Sequence, residues 1–200
     1  MGAKILLASS NAGKLREFQA LATESPLPLE FELFPGFDSI PEFEESAPTF
    51  AENSLGKALY YSRQTSNAVI ADDSGLVVPN LGGRPGVHSA RYGGVGATSE
   101  QRIEKLLGEM NGLGGTERAA HFICAISLVR RNRALAVITA RADGEILLTR
   151  RGNGGFGYDP VFFFPSLKRS FAELTAEEKN QRSHRGKAFR RLLAVLPDVL

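Results

Sequence analysis

The sequence predicts a mixed α/β (α+β) fold, on three observations. Short apolar runs typical of buried strands alternate with amphipathic helical segments in the first half of the chain. The second half contains successive strand-like runs that could pair antiparallel. Neither an internal repeat nor a low-complexity linker interrupts the 200 residues. We therefore expect one domain over residues 1–200, in which helices flank a mixed sheet.

The chain opens with a strand followed by a helix. Residues 4–9 (KILLAS) have the apolar run of a buried strand. Asn11 is a good N-cap for the helix that follows, in which Leu15, Phe18 and Leu21 recur at helical spacing. This order predicts a strand-to-helix junction at residues 9–14.

The next segment repeats the alternation of strand and helix. A second strand over residues 30–34 (EFELF) ends at a PGF turn, and a helix is predicted over residues 48–64. A short third strand, residues 68–72 (AVIAD), is expected to end at a DDSG turn over residues 72–75. A loop rich in glycine and proline follows. The apolar side of the helix at 48–64 is predicted to contain Phe50, Leu55, Ala58 and Leu59.

The second half begins with a strongly amphipathic helix over residues 98–110. Three strands are predicted after it, at residues 119–131, 134–143 and 145–152, followed by a loop over residues 152–164. A capping box formed by Thr175 and Glu178 then predicts the start of a helix. Buried residues are expected in two helices, namely Ile103, Leu106, Leu107 and Met110 in the first and Phe189, Leu192, Leu193 and Leu196 in the last.

Composition excludes several classes of protein and site. The single Cys124 has no cysteine partner and the three histidines are far apart in sequence, so neither a disulfide framework nor a zinc site is predicted. Cys124 is expected to be a small buried side chain. No apolar run is long enough to span a membrane, and the N-terminus lacks a signal-peptide core. We expect a soluble, cytoplasmic protein that does not bind a membrane.

Charge is distributed unevenly along the chain. Residues 1–117 contain 9 Lys and Arg against 15 Asp and Glu, whereas residues 118–200 contain 15 against 7. This division suits a site in which carboxylates hold a cation and basic groups hold an anion, although uneven solvated faces would give the same pattern. Arginines at 130–133 and 190–191 are the best evidence for nucleic-acid binding, but the acidic first half would repel a polyanion. We expect no stable nucleic-acid partner.

The strand-to-helix junction ASSNAGK is a candidate phosphate site. Backbone amides at the start of a helix lack intrahelical partners and the helix dipole is positive there, so phosphate oxygens are favoured. Lys14 lies one turn into the helix as a point charge. The segment lacks the Walker pattern. An ordinary capped helix is the alternative.

Acidic residues form a candidate cation site. Asp72 and Asp73 follow an apolar run directly, and their mutual repulsion must be relieved by a cation or a proton. Oxygen ligands of this kind suit Mg²⁺, and one carboxylate can then take a proton from an attacking water. The alternative is a turn capped by one of the two side chains. Further carboxylates lie upstream, at Glu42, Glu44, Glu45 and Glu52.

Two later segments could recognise a flat ring and its phosphates. In GGFGYDP the glycines allow close approach of the backbone, and Phe156 and Tyr158 could stack on a base. The segment EEKNQRSHRGKA adds Lys179, His184 and Arg185. Burial of the aromatic residues in a core, and exposure of the basic residues to solvent, are the alternatives.

Four blocks in this order, SSNAGK, ADDSGLVVPNLGGRPGVHSARY, GGFGYDPVF and EEKNQRSHRGKA, resemble the inosine triphosphatase family of non-standard purine nucleoside triphosphate pyrophosphatases. The resemblance implies an elongated mixed α/β fold of two lobes with the active cleft between them, and a homodimer. It also implies Mg²⁺-dependent hydrolysis of ITP, XTP and dITP to monophosphate and pyrophosphate. A Maf-like pyrophosphatase with other base specificity, or a nucleotide-binding protein that does not hydrolyse, are the alternatives.

The resemblance also implies roles for individual residues. Asp73 matches the general base and metal ligand, and Glu45 the second metal ligand, although Glu42 and Glu44 are close by. Three positions differ from the usual pattern, since Ser9 replaces a threonine but keeps a hydroxyl, Ser10 replaces a glycine and Ser54 an alanine. The residues that match substrate-binding positions are Ser9, Ser10, Asn11, Ala12, Gly13, Lys14, Lys57, Ser74, Phe156, Gly157, Tyr158, Asp159, Lys179, His184 and Arg185.

Base specificity follows from hydrogen-bond chemistry. A 6-oxo purine presents an acceptor where adenine presents an amino donor. A fixed donor such as Arg185 would therefore favour the 6-oxo purine and would be left unpaired against adenine.

Overall fold

The computed structural model of the chain describes residues 3–25 and 27–199, so the two ends of the predicted domain over 1–200 lie outside the described residues. Within that part, the strands are β1 (Ala3–Leu7), β2 (Leu29–Leu33), β3 (Ala68–Val77), β4 (Ala119–Arg130), β5 (Arg133–Ile146), β6 (Phe162–Phe164) and β7 (Arg169–Ser170). The α-helices in the same residues are α1 (Ala12–Ala22), α2 (Phe50–Ser62), α3 (Ser99–Glu109), α4 (Ala176–Arg182) and α5 (His184–Val199).

The described strands form one mixed sheet in the order β2-β1-β3-β4-β5-β6-β7. β1 pairs in parallel with both β2 and β3. β6 pairs antiparallel with β5 and with β7. Arg131 and Asn132 connect β4 to β5, both with positive φ, as in a tight hairpin turn. The predicted mixed α/β fold is confirmed.

The chain divides into two compact units. Unit 1 comprises Met1–Asp73, Cys124–Ala140 and Arg185–Leu200, and unit 2 comprises Ser74–Ile123 and Arg141–His184. Each unit has its own hydrophobic core.

Unit 1 buries apolar residues on both faces of its strands. In β1, Ile5 and Leu7 belong to one cluster, whereas Leu6 belongs to another. The same alternation in β3 sends Ile70 to the first cluster and Val69 to the second. Because successive side chains of a strand point to opposite faces, a continuously apolar run is required where both faces are covered. Helices α1 and α5 supply residues to the first cluster and α2 to the second.

Three phenylalanines hold the helices of the first cluster to the strands. Phe18 of α1 lies 5.0 Å from Phe189 of α5 and 5.9 Å from Phe31 of β2, measured between ring centroids. Phe31 and Phe189 are 5.4 Å apart. Cys124 is fully buried in the same cluster, as predicted.

Unit 2 is organised around α3 and a second group of aromatic residues. The rings of Phe122, Phe162 and Phe171 contact one another at centroid distances of 4.7 to 5.9 Å. Arg118 is buried beside this core, and its guanidinium donates to the carbonyl oxygens of Met110, Leu113, Ile146 and Leu147. These bonds satisfy a charge that would otherwise be costly to bury.

The helix predictions are confirmed. Asn11, Thr98 and Thr175 cap α1, α3 and α4, and the capping box of Thr175 with Glu178 is present. The residues predicted to be buried in α3 and α5 are buried, apart from Leu107, which is partly buried. Among the described residues, none of the helices combines the length and apolar character needed to cross a bilayer.

Several predictions about strands and the segments between them are wrong. The predicted DDSG turn is not a turn, because β3 continues through it to Val77. The strands predicted at 134–143 and 145–152 are one strand, β5, which runs through Gly144 and ends at Ile146. The loop predicted over 152–164 contains β6 at its end, and the short β7 was also missed.

Gly144 lies inside β5 because the neighbouring strand leaves no room for a side chain. A Cβ atom on this residue would collide with the carbonyl oxygen of Phe163 and would lie 2.7 Å from Cζ of Phe162. The glycine therefore permits close approach of β6. From sequence alone, the same glycine indicates a break between two strands.

This contact predicts opposite effects for two glycine-to-alanine substitutions in unit 2. Gly144→Ala is expected to lower the free energy of unfolding by about 2 kcal/mol or more, because backbone must shift. Gly108→Ala, in α3 with open space around the new Cβ, is expected to raise it by about 1 kcal/mol. Urea denaturation measures both, and equal effects of the two substitutions would contradict the packing role of Gly144.

Candidate active site

The junction between β1 and α1 is organised by its own side chains. Asn11 accepts hydrogen bonds from the backbone amides of Gly13 at 2.8 Å and Lys14 at 3.1 Å. Ser9 is buried and accepts from the amide of Asn11. A Cβ on residue 13 would lie 2.9 Å from Oδ1 of Asn11, so glycine allows the tight cap. Ser10, Asn11 and Ala12 are exposed, which leaves the junction accessible to solvent.

Lys14 reaches from α1 to a buried carboxylate of β3. Its Nζ lies 2.9 Å from Oδ1 of Asp72. Arg185 of α5 donates to Oδ2 of Asp72 from Nε and from Nη2, each at 3.2 Å. The two cations more than offset the effect of burial, and they hold the pKa of Asp72 far below its ordinary value. Asp72 is therefore a buried anion at neutral pH.

The neighbouring acid, Asp73, faces the opposite side of the strand. Its Oδ2 accepts a hydrogen bond of 3.1 Å from Nδ2 of Asn53 in α2. Because β3 continues through both residues, their side chains alternate between the two faces. The expected repulsion between the two adjacent carboxylates is thus relieved mainly by strand geometry and by Lys14 and Arg185.

Asp73 shares its face with another acid, Glu45. Burial raises the pKa of Asp73 to about 6, and the next largest cause is the charge of Glu45, ahead of that of Asp72. The pair of carboxylates that repel each other is therefore Asp73 and Glu45, which supports Glu45 as the second candidate metal ligand.

Lys57 of α2 provides the positive charge beside Glu45, with 2.7 Å between Nζ and Oε1. Burial lowers the pKa of Lys57, but the charges of Glu45, Asp72 and Asp73 outweigh it and leave the pKa above the ordinary value. Lys57 is thus a firmly charged lysine among carboxylates.

The segment that contains Glu45 has no regular secondary structure and lies along α2. Residues 41–46 form neither helix nor strand. Phe43 packs against Gly56, where a Cβ would lie 2.7 Å from the tip of the ring. The ion pair between Glu45 and Lys57 adds a second attachment. The position of Glu45 therefore depends on side chains of α2 rather than on its own backbone.

Asn53 is a site residue that the sequence analysis missed. It is buried, and besides Asp73 it contacts the backbone of Ala47, to whose carbonyl it donates at 3.2 Å and from whose amide it accepts at 2.9 Å. Its position four residues before Lys57, on the same face of α2, was the available signal. Glu17, which accepts from Nη1 of Arg185 at 2.5 Å, was also missed.

Unit 2 presents a different cluster, built on the loop before β6. Phe156 is half exposed, and Nζ of Lys179 lies 4.5 Å from the centre of its ring. Asp159 accepts from Lys179 at 2.6 Å and from the backbone amide of Phe156 at 2.8 Å. One carboxylate therefore fixes both the aromatic ring and the lysine.

Other residues predicted for base recognition lie in the interior of unit 2. Tyr158 is buried, its hydroxyl donates to the carbonyl of Ser89 at 2.9 Å, and burial raises its pKa. Its ring is part of the core, so the stacking predicted for Tyr158 is not offered by this side chain. His184 is buried too and stacks on Phe122 at 4.7 Å. Gly157 has a φ of +62°, which favours glycine.

Arg185 and Ser74 complete the predicted set. Arg185 belongs to unit 1, where its guanidinium donates to the carboxylates of Asp72 and Glu17. Ser74 follows Asp73 in β3 and is partly buried. Unit 1 thus gathers Ser9 to Lys14, Glu45, Lys57, Asp72, Asp73 and Arg185, whereas unit 2 gathers Ser74, Phe156 to Asp159, Lys179 and His184.

Two curated relatives, both dITP/XTP pyrophosphatases, match nearly the whole chain. The chain is 48% identical over 189 residues to the dITP/XTP pyrophosphatase of Geobacillus kaustophilus, a match that covers 94% of this chain and 92% of the relative. It is 47% identical over 191 residues to the dITP/XTP pyrophosphatase of Methylococcus capsulatus, covering 94% and 93%.

Solved structures give the same result. A HAM1 protein from Coxiella burnetii superimposes with a TM-score of 0.88 at 41% identity, covering 98% of this chain and 99% of that one. The nucleoside-triphosphatase / dITP/XTP pyrophosphatase from Mycobacterium abscessus gives 0.74 at 37% identity, covering 98% and 100%. The model of the Ham1 family matches residues 5–195. With a family match over nearly its whole length and relatives close to half identical, the chain belongs to the Ham1 family.

Proposed function

We propose that this chain hydrolyses non-canonical purine nucleoside triphosphates, namely dITP, XTP and ITP, to the monophosphate and pyrophosphate, and so removes them from the nucleotide pool. The names of its relatives support this reaction. The observation that carries the proposal is the arrangement in unit 1, where Asp73 and Glu45 lie together with Lys57 beside them. Such a group of acids and lysines suits a polyphosphate with its cation.

The carboxylates of unit 1 fit a divalent ion. The described residues contain no group of three or more histidine, cysteine, aspartate or glutamate side chains arranged to hold a metal. Mg²⁺ does not require one, because it is commonly held by one or two carboxylates together with substrate phosphates and water. Asp73 and Glu45 would be those ligands, and their mutual repulsion would be relieved. When bound, Mg²⁺ would neutralise charge that develops on the phosphate oxygens.

Asp73 is suited to accept a proton from water. With a pKa of about 6 it is largely ionised at neutral pH, yet basic enough to act as a general base. In the proposed reaction the water oxygen bonds to the α-phosphorus, the bond from that phosphorus to the bridging oxygen breaks, and pyrophosphate leaves with that oxygen. The proton of the water passes to Asp73. Lys14 and Lys57 would bind the phosphate oxygens.

The cluster of unit 2 is proposed to bind the base. The exposed ring of Phe156 offers a face for stacking, and Asp159 holds both this residue and Lys179 in place. A cationic donor matches the 6-oxo acceptor of hypoxanthine and xanthine better than the amino group of adenine. Tyr158 and His184 would support this surface from the interior of unit 2, and Gly157 would allow the turn of its loop. Ser74 and residues 9–13 are proposed to contact the rest of the substrate.

The remaining expectations stay predictions. A homodimer in the cytoplasm is proposed on the resemblance, and light scattering after gel filtration tests the dimer. A Maf-like specificity and nucleotide binding without hydrolysis are the competing functions. Neither a membrane nor a nucleic acid is proposed as a partner.

The reaction is tested with a panel of triphosphates assayed for pyrophosphate. We expect kcat/KM for ITP, dITP and XTP to exceed that for ATP by about 10²-fold or more, since a site built for one hydrogen-bond pattern rejects the other. Removal of Mg²⁺ with EDTA is expected to abolish release. Orthophosphate as the product, or equal rates with ATP, would contradict the proposal.

Asp73→Asn is predicted to affect activity and stability in opposite directions. Loss of the proton acceptor should lower kcat by about 10²-fold or more. The pKa of Asp73 is raised in the folded protein, so the folded state binds the extra proton and wild-type stability falls as pH rises from about 4 to 6. Without Mg²⁺, the variant should therefore be more stable than wild type by about 2 kcal/mol at pH 7 to 8.

The stabilising effect of Asp73→Asn should disappear near pH 4, where the wild-type carboxyl is protonated in the folded protein. Urea denaturation at both pH values measures it. If the variant were less stable than wild type at pH 7.5, the conclusion that ionised Asp73 destabilises the folded protein would be wrong.

Substitutions at Arg185 and Lys179 separate charge pairing from base recognition. Arg185→Ala is expected to lower kcat/KM for ITP and ATP in the same proportion, because its donors engage Asp72 and Glu17. Lys179→Ala should instead reduce the ratio of the two values by about 10-fold. Lys4→Ala, which removes an exposed lysine paired with Glu32, is the control and should change neither. A reduced ratio in Arg185→Ala would show that this arginine reads the base.

A further inference from the structure

The side chain of Asn53 links Asp73 to the segment that contains Glu45. Asn53 donates to Oδ2 of Asp73 at 3.1 Å, and it makes two hydrogen bonds to the backbone of Ala47, two residues beyond Glu45. It is 1% exposed, so these bonds are made away from water. Each therefore has a high cost if it is lost.

Asparagine is well matched to this position. Its carbonyl oxygen accepts the amide hydrogen of Ala47, and its amide group has two hydrogens, one for the carbonyl of Ala47 and one for Asp73. Aspartate would lack both hydrogens and would place a third negative charge beside Asp73. Serine can serve one of the partners at a time, and alanine serves none.

The segment around Glu45 depends on such attachments, because residues 41–46 have no regular secondary structure. Lys57 holds the side chain of Glu45, but it is also the lysine proposed to bind phosphate. Asn53, one helical turn earlier on α2, holds the backbone of the segment instead. These two hydrogen bonds do not involve Lys57.

We propose that Asn53 is a positioning residue that fixes Asp73 and Glu45 at the separation a divalent cation requires. The inference rests on the proposed function, since it assigns the ion to these two carboxylates. Asn53 contacts neither ion nor substrate in this assignment and acts through Asp73 and through the backbone at Ala47. Residues that orient ligands in this way commonly change metal affinity by about 10- to 100-fold when they are removed.

Ser54 provides a matched control on the same helix. It is fully buried like Asn53, and its hydroxyl bonds to the carbonyl of Ala71 in β3 and to Ser127. It is therefore a buried polar side chain of α2 that anchors β3 without contacting Asp73 or residues 45–47. Ser54→Ala reproduces the loss of a buried hydrogen bond but not the loss of the link between the acids.

The test measures Mn²⁺ binding to the nucleotide-free protein by electron paramagnetic resonance, with Mn²⁺ standing in for Mg²⁺. Asn53→Ala should weaken binding by about 10-fold or more, Asn53→Ser by less, and Ser54→Ala by less than about 2-fold. The serine variant carries the test if the alanine variant does not fold. Urea denaturation of each variant shows whether the loss of affinity follows the loss of stability.

A second measurement asks whether Asn53 acts through Asp73. In the Asp73→Asn background, Asn53→Ala should weaken Mn²⁺ binding by a clearly smaller factor than in wild type, because one of the two carboxylates it positions is gone. Equal factors in the two backgrounds would contradict the assignment.

Mn²⁺ binding and pyrophosphate release by the wild type together test the role of Asn53 separately from the proposed function. If wild type neither binds Mn²⁺ nor releases pyrophosphate from dITP, the proposed function is wrong and the inference falls with it. If wild type does both, but Asn53→Ala and Ser54→Ala bind Mn²⁺ alike, then Asn53 is a structural residue only and the inference alone is overturned.

Discussion

The buried ion cluster of Asp72, Lys14 and Arg185 is the interaction on which the rest of unit 1 depends. The carboxylate of Asp72 on β3 contacts Lys14 of α1 and Arg185 of α5, so it connects three elements that are distant in sequence. Removing a single partner from such a cluster would leave an uncompensated buried charge, which typically costs about 3–5 kcal/mol. The next residue, Asp73, lies on the opposite face of β3 because successive side chains of a strand alternate, and there it is close to the charges of Glu45 and Lys57.

The two adjacent acids therefore have opposite electrostatic environments. Asp72 is held as a permanent anion, whereas burial and the nearby charge of Glu45 raise the pKa of Asp73 to about 6. Divergent pKa values in neighbouring carboxyl groups are typical of sites that divide structural and chemical work between them. The strain at Asp73 is a cost that the apolar clusters of unit 1 offset, and in the proposed function the cation of the substrate complex relieves it.

Helix α2 positions the segment that contains Glu45. The segment that contains Glu45 has little structure of its own, and it is held by Gly56 beneath Phe43, by Lys57 and by Asn53. Side chains three or four positions apart on a helix share a face, so one rigid helix can position a loop at several points. In unit 2 one side chain likewise positions two other residues, because Asp159 binds both Phe156 and Lys179.

Local signals in the sequence determined the helices, their caps, the apolar strands of unit 1 and the residue types of the site, because periodicity and capping depend on neighbours along the chain. They failed at Gly144 and at the DDSG segment, where turn-forming residues lie inside strands that contact distant partners, since Gly144 packs against β6 and Asp72 binds Lys14 and Arg185. Only the tertiary structure decided that Asp73 lies near Glu45, that Arg185 binds Asp72, that Tyr158 belongs to the core, and that Asn53 links Asp73 to the segment that contains Glu45. The physical reason is that these contacts connect residues far apart in sequence, whose proximity no local pattern encodes.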